Sequence, residues 1–292
     1  MDTRRIVLVS ESQFVPFADL AKVSSAVQRQ VNDQFGPIWG VRAAIDPLAS
    51  IADIPPNAWP VVIRDDIGIS EAGVHWNETQ DKPFALVTFR EGDQPEEGWQ
   101  PTVSHEILEM LADPFSKEFR TGPSLQTPQR LVEYLVEVCD PCQAPAFVYG
   151  VDDIPVSDFV LPEYYGGADA GIYSFRKNLT QPRQVLPGGY VSWRDLATGM
   201  WTQFLISNAG AEFRDLGTNP APIGVHLRGF IDRQAKAHLA RSAKPGVRKK
   251  RKPRLARATA ADIRLSHAAV RRAEGERWRR RIDSVLGLGG KS

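Results

Sequence analysis

The middle of the sequence reads PTVSHEILEMLADP and spans Pro101–Pro114. The proline and threonine at its start and the proline at its end predict one short helix. At about 100° per residue, four apolar side chains gather on one side of that helix. They are Val103, Ile107, Met110 and Leu111. The opposite side carries His105, Glu109 and Asp113 at four-residue intervals. Glu106 lies beside them.

One imidazole and up to three carboxylates on a helix face have two interpretations. Metal-assisted hydrolysis uses ligands that lie one helical turn apart, together with a neighbouring carboxylate that takes a proton from water. The alternative is a solvated acidic face with an incidental histidine. The motif alone does not decide between them, because Glu109 replaces the second histidine of the His-Glu-x-x-His pattern.

The composition is that of an ordinary globular protein. The chain has 292 residues, enough for one large domain or two small ones, and is 42% hydrophobic and 24% charged. It contains no apolar run long enough to span a membrane, and the run Ile6–Val9 is too short for a signal peptide. We therefore expect a cytoplasmic protein, with association with a virion as the alternative.

The chain has two cysteines, Cys139 and Cys142, which argues against a disulfide-rich scaffold and fits a reducing compartment. They form a Cys-x-x-Cys pair. The pair could be a redox dithiol, half of a zinc site or two reduced thiols in a turn. A site with four thiolates is excluded by the number of cysteines.

Charge is divided unevenly along the chain. Residues 233–292 contain 19 lysines and arginines and 4 acidic residues, a formal charge of +15. Residues 1–232 contain 17 basic and 31 acidic residues, a formal charge of −14. The sequence therefore predicts an acidic body over residues 1–232 and a basic tail over residues 233–292.

Strands and helices alternate through the first part of the body. An apolar spacing typical of a helix begins at Asp19, a candidate N-cap, and the helix should end at Gly36-Pro37. The predicted strands cover residues 5–10, 41–45, 60–64, 72–76 and 83–89, and the helix covers residues 19–35. The fourth strand is short and partly polar, which is typical of a sheet edge. This order predicts an α+β fold in which residues 1–115 form a mixed sheet with packed helices.

The element order resembles the N-terminal half of the zincin metallopeptidases. In that family a twisted sheet with one backing helix leads, through an edge strand that lines the substrate cleft, to an active-site helix with His-Glu-x-x-His. The segment His105–Glu109 stands in the same place. The resemblance implies a zincin-like fold in which His105 is a metal ligand and Glu106 is the general base that activates water.

Glu109 departs from the family's pattern, because it puts a carboxylate at the position of the second ligand. A carboxylate can bind Zn²⁺, but its negative charge weakens the metal as a Lewis acid. The expected cofactor is Zn²⁺, with Mn²⁺ or Ca²⁺ as alternatives. The same change leaves open a zincin-like domain without catalytic activity.

A third ligand is expected from beyond this motif. Asp113 lies close by and on the same helix face. Some zincins instead take this ligand from a downstream glutamate on a separate element. Here Glu133, Glu137 and Asp140 lie at a compatible distance along the chain.

A second resemblance covers residues 20–205. It is to a group of uncharacterised phage and bacterial proteins that share a His-Glu-x-x-Glu…Asp-Pro helix and a downstream Glu-x-x-Asp. The similar segments are Ser104–Pro114, Glu137–Pro141, Pro155–Pro162 and Pro187–Tyr190. This resemblance implies that Glu137 and Asp140 belong to the same site as His105.

Residues 116–232 are predicted to form a β-rich lower subdomain that closes the other side of the cleft. Strands over residues 146–149, 189–193 and 201–206, with a hairpin turn at Thr198-Gly199, indicate an antiparallel arrangement.

Several aromatic and histidine side chains are less specific candidates. Tyr164, Tyr165 and Tyr190 could donate a hydrogen bond to an oxyanion, or could be packing residues. His75 and His226 are interpreted as structural or surface residues.

The basic tail is predicted to contain a linker and an amphipathic helix over residues 261–286. The candidate residues for binding nucleic acid or a partner are Lys249, Lys250, Arg251, Lys252 and Arg254. The apolar side of the helix contains Ile263, Val270, Trp278, Ile282 and Val285. The tail could bind the phosphate backbone of a nucleic acid, dock on the acidic body or on an acidic protein partner, or act as a solubilising segment.

Taken together, the patterns predict a metal-dependent hydrolase, and more specifically a zincin-like peptidase acting on a peptide or protein substrate. The alternative is a non-catalytic structural or interaction protein of phage type. In that protein a metal would only stabilise the fold, and the tail would bind nucleic acid or an acidic partner. Neither hypothesis involves a membrane.

Overall fold

The computed structural model describes most of the body and short parts of the tail. The described residues are 2–68, 72–77, 82–167, 170–221, 227–242, 276–280 and 282–283. Several predicted residues lie outside these ranges. They are His226, Lys249, Lys250, Arg251, Lys252 and Arg254.

The first part of the body contains a five-stranded sheet. Its strands are β1 Arg4–Ser10, β2 Ala43–Leu48, β3 Trp59–Arg64, β4 Gly73–Asn77 and β5 Pro83–Thr88. In the order β2-β1-β3-β5-β4, the first four strands are parallel, and β4 is antiparallel to β5 at the edge. The apolar run Ile6–Val9 is fully buried, as expected for a central strand that is covered on both faces. The predicted mixed sheet and its edge strand are confirmed.

The helix that packs on this sheet begins earlier and continues further than predicted. α1 covers Phe17–Arg29, so Asp19 lies in its first turn and the prediction that it is the N-cap is wrong. A π-helical segment, Gln30–Phe35, follows directly, and α2, Gly36–Trp39, carries the chain past the predicted stop at Pro37. Proline is tolerated at the start of a helix because the missing N–H would have no intrahelical partner there.

A second sheet lies further along the chain. The remaining strands are β6 Phe119–Pro123, β7 Leu131–Leu135, β8 Tyr149–Val151, β9 Ile154–Val156, β10 Tyr190–Asp195, β11 Trp201–Ser207 and β12 Gly210–Gly217. Five of them form an antiparallel sheet in the order β12-β11-β10-β7-β6, while β8 and β9 form a separate hairpin. The predicted antiparallel arrangement is confirmed. The strand predicted over residues 146–149 is wrong, because Pro145 begins a 3₁₀ turn and the strand starts at Tyr149.

The His105 helix, α3, covers Trp99–Ala112 and is buried along most of its length. Its apolar side chains belong to the main hydrophobic core. The polar side is buried as well, because the residues that follow β7 and a later helix cover His105, Glu106 and Glu109. The alternative interpretation of α3 as a solvated acidic face is therefore wrong.

The helix that covers α3 is α4, Leu227–Ser242, and it packs on both sheets. Ile231 packs with Leu135 and Trp201 of the second sheet, while Lys236 donates to the carbonyl of Gly73 in β4. The boundary predicted between residues 232 and 233 falls inside α4. No helix in the described ranges combines the length and the apolar character needed to cross a membrane.

A short part of the predicted tail helix packs on the body. Trp278 and Ile282 are buried against the face of the first sheet that carries Val7 and Val9. Arg279 forms an ion pair of 2.9 Å with Glu11. These residues fit the hypothesis that the tail docks on the acidic body.

Candidate metal centre

α3 and the segment after β7 bring three predicted ligands together. His105 and Glu109 are one helical turn apart, and His105 Nε2 lies 3.4 Å from Glu109 Oε2. A 3₁₀ turn, Asp140–Cys142, brings Asp140 Oδ1 within 3.3 Å of the same nitrogen. One ligand atom from each of these three residues lies within 4.8 Å of the other two. The arrangement is a nitrogen and two carboxylates facing one point.

Two of these groups lack a good hydrogen-bond partner. His105 Nε2 and both carboxylate oxygens of Asp140 are buried and make no well-formed hydrogen bond, although Nε2 and Oδ1 lie 3.3 Å apart. Asp140 is fully buried and His105 is 7% exposed. An unsatisfied buried polar group costs about 1–3 kcal/mol, and nearly all such groups in native proteins have a partner. A divalent cation would satisfy these atoms, and imidazole with carboxylates is a set of ligands that Zn²⁺ and Mn²⁺ accept.

The electrostatics also favour positive charge at this point. Burial alone would lower the pKa of His105. The carboxylates of Glu109 and Asp140 outweigh this effect and raise the pKa to about 10. Burial alone would raise the pKa of Glu109, but His105 and Arg228 bring it well below its ordinary value. The site therefore holds a proton on His105 when nothing else supplies positive charge.

Glu106 lies next to these ligands and at the wall of a cleft. Its Oε2 is 3.2 Å from His75 Nδ1, and its Oε1 is 3.8 Å from Lys236 Nζ. His105 and Glu106 both line this cleft, together with Gly73 of the edge strand β4. A Cβ atom added to Gly73 would come within 2.6 Å of Glu106 Oε1. Glycine therefore allows the edge strand to approach the carboxylate closely.

Arg228 of α4 is fully buried and fixes two carboxylates of α3. Its Nη2 donates to Glu109 Oε2 at 2.9 Å, and its Nη1 lies 3.5 Å from Asp113 Oδ2. Asp113 also accepts a hydrogen bond from the backbone of Lys117. Among the described residues, Asp113 belongs to none of the groups that could hold a cation. Its contacts are those of a structural carboxylate at the end of α3.

Glu137 lies close to Asp140 but outside the group around His105. Glu137, Asp140 and Asp232 form a second group whose ligand atoms lie within 4.8 Å of one another. Glu133, the other candidate on this segment, accepts a hydrogen bond of 3.2 Å from Arg194. The predicted His105, Glu109 and Asp140 thus meet directly, and Glu137 joins them through Asp140.

Sequence reasoning missed four side chains of this site. His75 was interpreted as structural or surface, yet it forms a buried group with Glu106 and Glu109. The other three lie on α4 and are Arg228, Asp232 and Lys236. Their four-residue spacing puts all three on one face of a helix, a pattern that a solvated helix also shows.

The tyrosines and cysteines have structural contacts. Tyr164 donates to the carbonyl of Gln184, and Tyr165 donates to the carbonyl of Glu137. Tyr190 is the exception, because its hydroxyl donates to Asp232 in the second group. Cys139 and Cys142 are reduced and buried. Burial raises the pKa of both thiols well above the ordinary value, which fits two reduced thiols in a turn.

Comparisons with protein-family models, curated proteins and solved structures find no match for this chain. The functional conclusion therefore depends on the geometry of these side chains.

Proposed function

We propose that this protein is a metal-dependent hydrolase in which His105, Glu109 and Asp140 hold a divalent cation. The observation that supports it most is the meeting of His105 Nε2 and the Asp140 carboxylate, which are buried, make no well-formed hydrogen bond and lie 3.3 Å apart, with His105 at the wall of a cleft. Without a cation or a proton between them, these groups would remain unsatisfied.

A cation bound there would supply Lewis-acid polarisation of a substrate carbonyl. Glu106 lies beside the proposed ligands and lines the cleft, so it is the candidate to accept a proton from water and pass it to the leaving group. His75 and Lys236 contact its two oxygens and orient the carboxylate. Zn²⁺ suits the imidazole best, and Mn²⁺ suits the carboxylates.

The substrate class that we propose is a peptide, as the resemblance of His105–Glu109 to the active-site helix of the zincins implies. Gly73 and Ala72, at the start of the edge strand β4, line the cleft next to His105 and Glu106. An extended peptide in this cleft would lie beside Ala72 and Gly73 but would not pair with β4 there, because Gly73 is buried and its carbonyl accepts a hydrogen bond from Lys236.

The alternative is a cation that only stabilises the fold. The burial of Asp140 favours this alternative. A cation held by this fully buried carboxylate and by His105 would link the segment after β7 to α3 without facing the cleft. A substitution at Glu106 distinguishes the two functions, since a structural cation needs no neighbouring proton acceptor.

The test combines metal content with hydrolysis. Elemental analysis of the purified protein should find bound Zn²⁺ or Mn²⁺, which His105→Ala removes and His238→Ala retains. His238 is a matched control because it pairs with Glu212 at 3.0 Å and, among the described residues, belongs to none of the groups that could hold a cation. Absence of metal from the wild-type protein would contradict both functions.

Hydrolysis of an unstructured protein substrate then distinguishes the hydrolase from a protein with a structural cation. Glu106→Gln should keep the metal and lose activity by about 10²- to 10⁴-fold. Glu163→Gln, at an exposed carboxylate, should change neither. Full activity in Glu106→Gln would exclude Glu106 as the proton acceptor, and metal without hydrolysis in the wild-type protein would favour the structural alternative.

A further inference from the structure

The carboxylates behind the proposed centre are themselves unpartnered. Glu137 is 1% exposed, and neither of its carboxylate oxygens has a hydrogen-bond donor. It lies in a group with Asp140 and Asp232, which are 0% and 2% exposed. We infer that Glu137, Asp140 and Asp232 bind a second divalent cation, an inference that rests on the proposed function of the neighbouring site.

Asp140 can serve both cations. Its Oδ1 lies 3.3 Å from His105 Nε2, and both of its oxygens lack a hydrogen-bond partner. One carboxylate can therefore face His105 and Glu109 on one side and Glu137 and Asp232 on the other. A bridging carboxylate is consistent with two-metal sites, in which the ions lie about 3.5–4 Å apart.

Nearby donors leave the Glu137 carboxylate free. Tyr165 accepts a hydrogen bond from the Glu137 N–H at 3.1 Å and donates to its carbonyl at 3.3 Å. Tyr190 donates to Asp232 Oδ1, and Arg228 Nε lies 3.8 Å from Asp232 Oδ2. These contacts hold the backbone of Glu137 and the side chain of Asp232, and the Glu137 carboxylate faces the carboxylates of Asp232 and Asp140.

The site contains more carboxylates than cationic side chains. The contacts of the site connect six carboxylates, Glu106, Glu109, Asp113, Glu137, Asp140 and Asp232, with the cations Arg228 and Lys236. With neutral histidines the excess is four negative charges. Buried charge that is not compensated is strongly unfavourable. Two divalent cations would match that excess. When no ion is bound, protons on Glu137 and Asp140 lower it instead, because burial raises the pKa of both carboxyls.

The ligands also indicate which cation the second site prefers. The group contains only carboxylate oxygens, which favour Mn²⁺, Mg²⁺ or Ca²⁺ over Zn²⁺. Mn²⁺ is accepted by both sites, since imidazole and carboxylates bind it, and it can be counted and observed by electron paramagnetic resonance. Mn²⁺ is therefore the probe that tests both sites at once.

The experiment is equilibrium dialysis of the full chain against Mn²⁺, followed by elemental analysis. The wild-type protein should bind two ions per chain. Glu137→Gln and Asp232→Asn should each bind one, and His105→Ala should keep one at the second site. Glu133→Gln is the matched control on β7 and should bind two. The second ion should also broaden the resonance of the first through spin coupling.

The outcomes separate this inference from the proposed function. One ion in the wild-type protein, unchanged in Glu137→Gln, would overturn the second site and leave the first in place. No bound ion in the wild-type protein would overturn both. Two ions in the wild-type protein and in both folded variants, Glu137→Gln and Asp232→Asn, would place the second ion elsewhere and also overturn the inference.

Discussion

His105 is the residue in which burial and charge conflict most clearly. It is 7% exposed, yet two carboxylates face its imidazole and raise its pKa to about 10. The cation-free protein therefore keeps a buried imidazolium at neutral pH. A metal ion would replace that proton, so binding of the cation should release a proton from His105.

Removal of the metal should make stability depend on pH through His105. Its folded pKa of about 10 lies above the ordinary value of 6.5, so its stabilising effect is complete below pH 6.5 and is lost as the pH rises toward 10. The melting temperature of chelated protein should fall over this range. In His105→Gln the fall should be less steep, as measured by scanning calorimetry. An equal slope in both proteins would show that His105 does not carry the proton.

α4 is the element for which the prediction from the sequence was poorest, because the predicted boundary between body and tail falls inside it. Its start carries Arg228 and Asp232, which were assigned to the body, and it continues through Lys236, which was assigned to the basic tail. All three contact carboxylates of the site or belong to its groups. The helix is therefore part of the site, and its polar face points inward.

Arg228→Met should destabilise the protein by about 3–5 kcal/mol, because it leaves the buried carboxylates of Glu109 and Asp113 without their guanidinium partner. Arg233→Met changes an exposed arginine of the same helix and should stay within about 0.5 kcal/mol of the wild-type protein. Urea unfolding gives both values. A loss no larger than that of the control would mean that the Arg228 contacts contribute little to stability.

Apolar runs and helical spacing in the sequence predicted the elements that depend on local sequence alone. The strands of the first sheet and α3 followed from apolar runs, and the spacing of His105 and Glu109 followed from the helical turn. The pairing of α3 with α4 could not be predicted in this way, because a helix with Arg228, Asp232 and Lys236 on one face looks like a solvated helix. The π-helical segment Gln30–Phe35 was missed for a similar reason. Its Gln30 side chain is fixed by distant partners, among them Ser104 of α3.

At the scale of the whole molecule, the chain closes back on its first sheet. Trp278 and Ile282 from the tail cover the face of the sheet opposite α1 and α3. The charge asymmetry of the sequence predicted such docking as one of three hypotheses. A truncation that tests whether the basic run at residues 249–254 binds nucleic acid should end after residue 242, because α4 belongs to the site.

Trp278→Ala should release the tail segment from the body, since the change from a buried tryptophan to alanine costs about 3–5 kcal/mol. Hydrogen exchange should then become faster at residues 276–283 and in β1. Arg280→Ala, at an exposed position of the same segment, should leave both rates unchanged. Unaltered exchange in Trp278→Ala would show that the segment does not depend on this packing.

The central claim is that a divalent cation lies between α3 and the turn after β7. Crystals grown with Zn²⁺ and measured on both sides of the zinc absorption edge test it directly. The account predicts an anomalous peak about 2.0–2.2 Å from His105 Nε2 and from an Asp140 oxygen. A map with no peak there, in which His105 and Asp140 contact only each other or water, would contradict it.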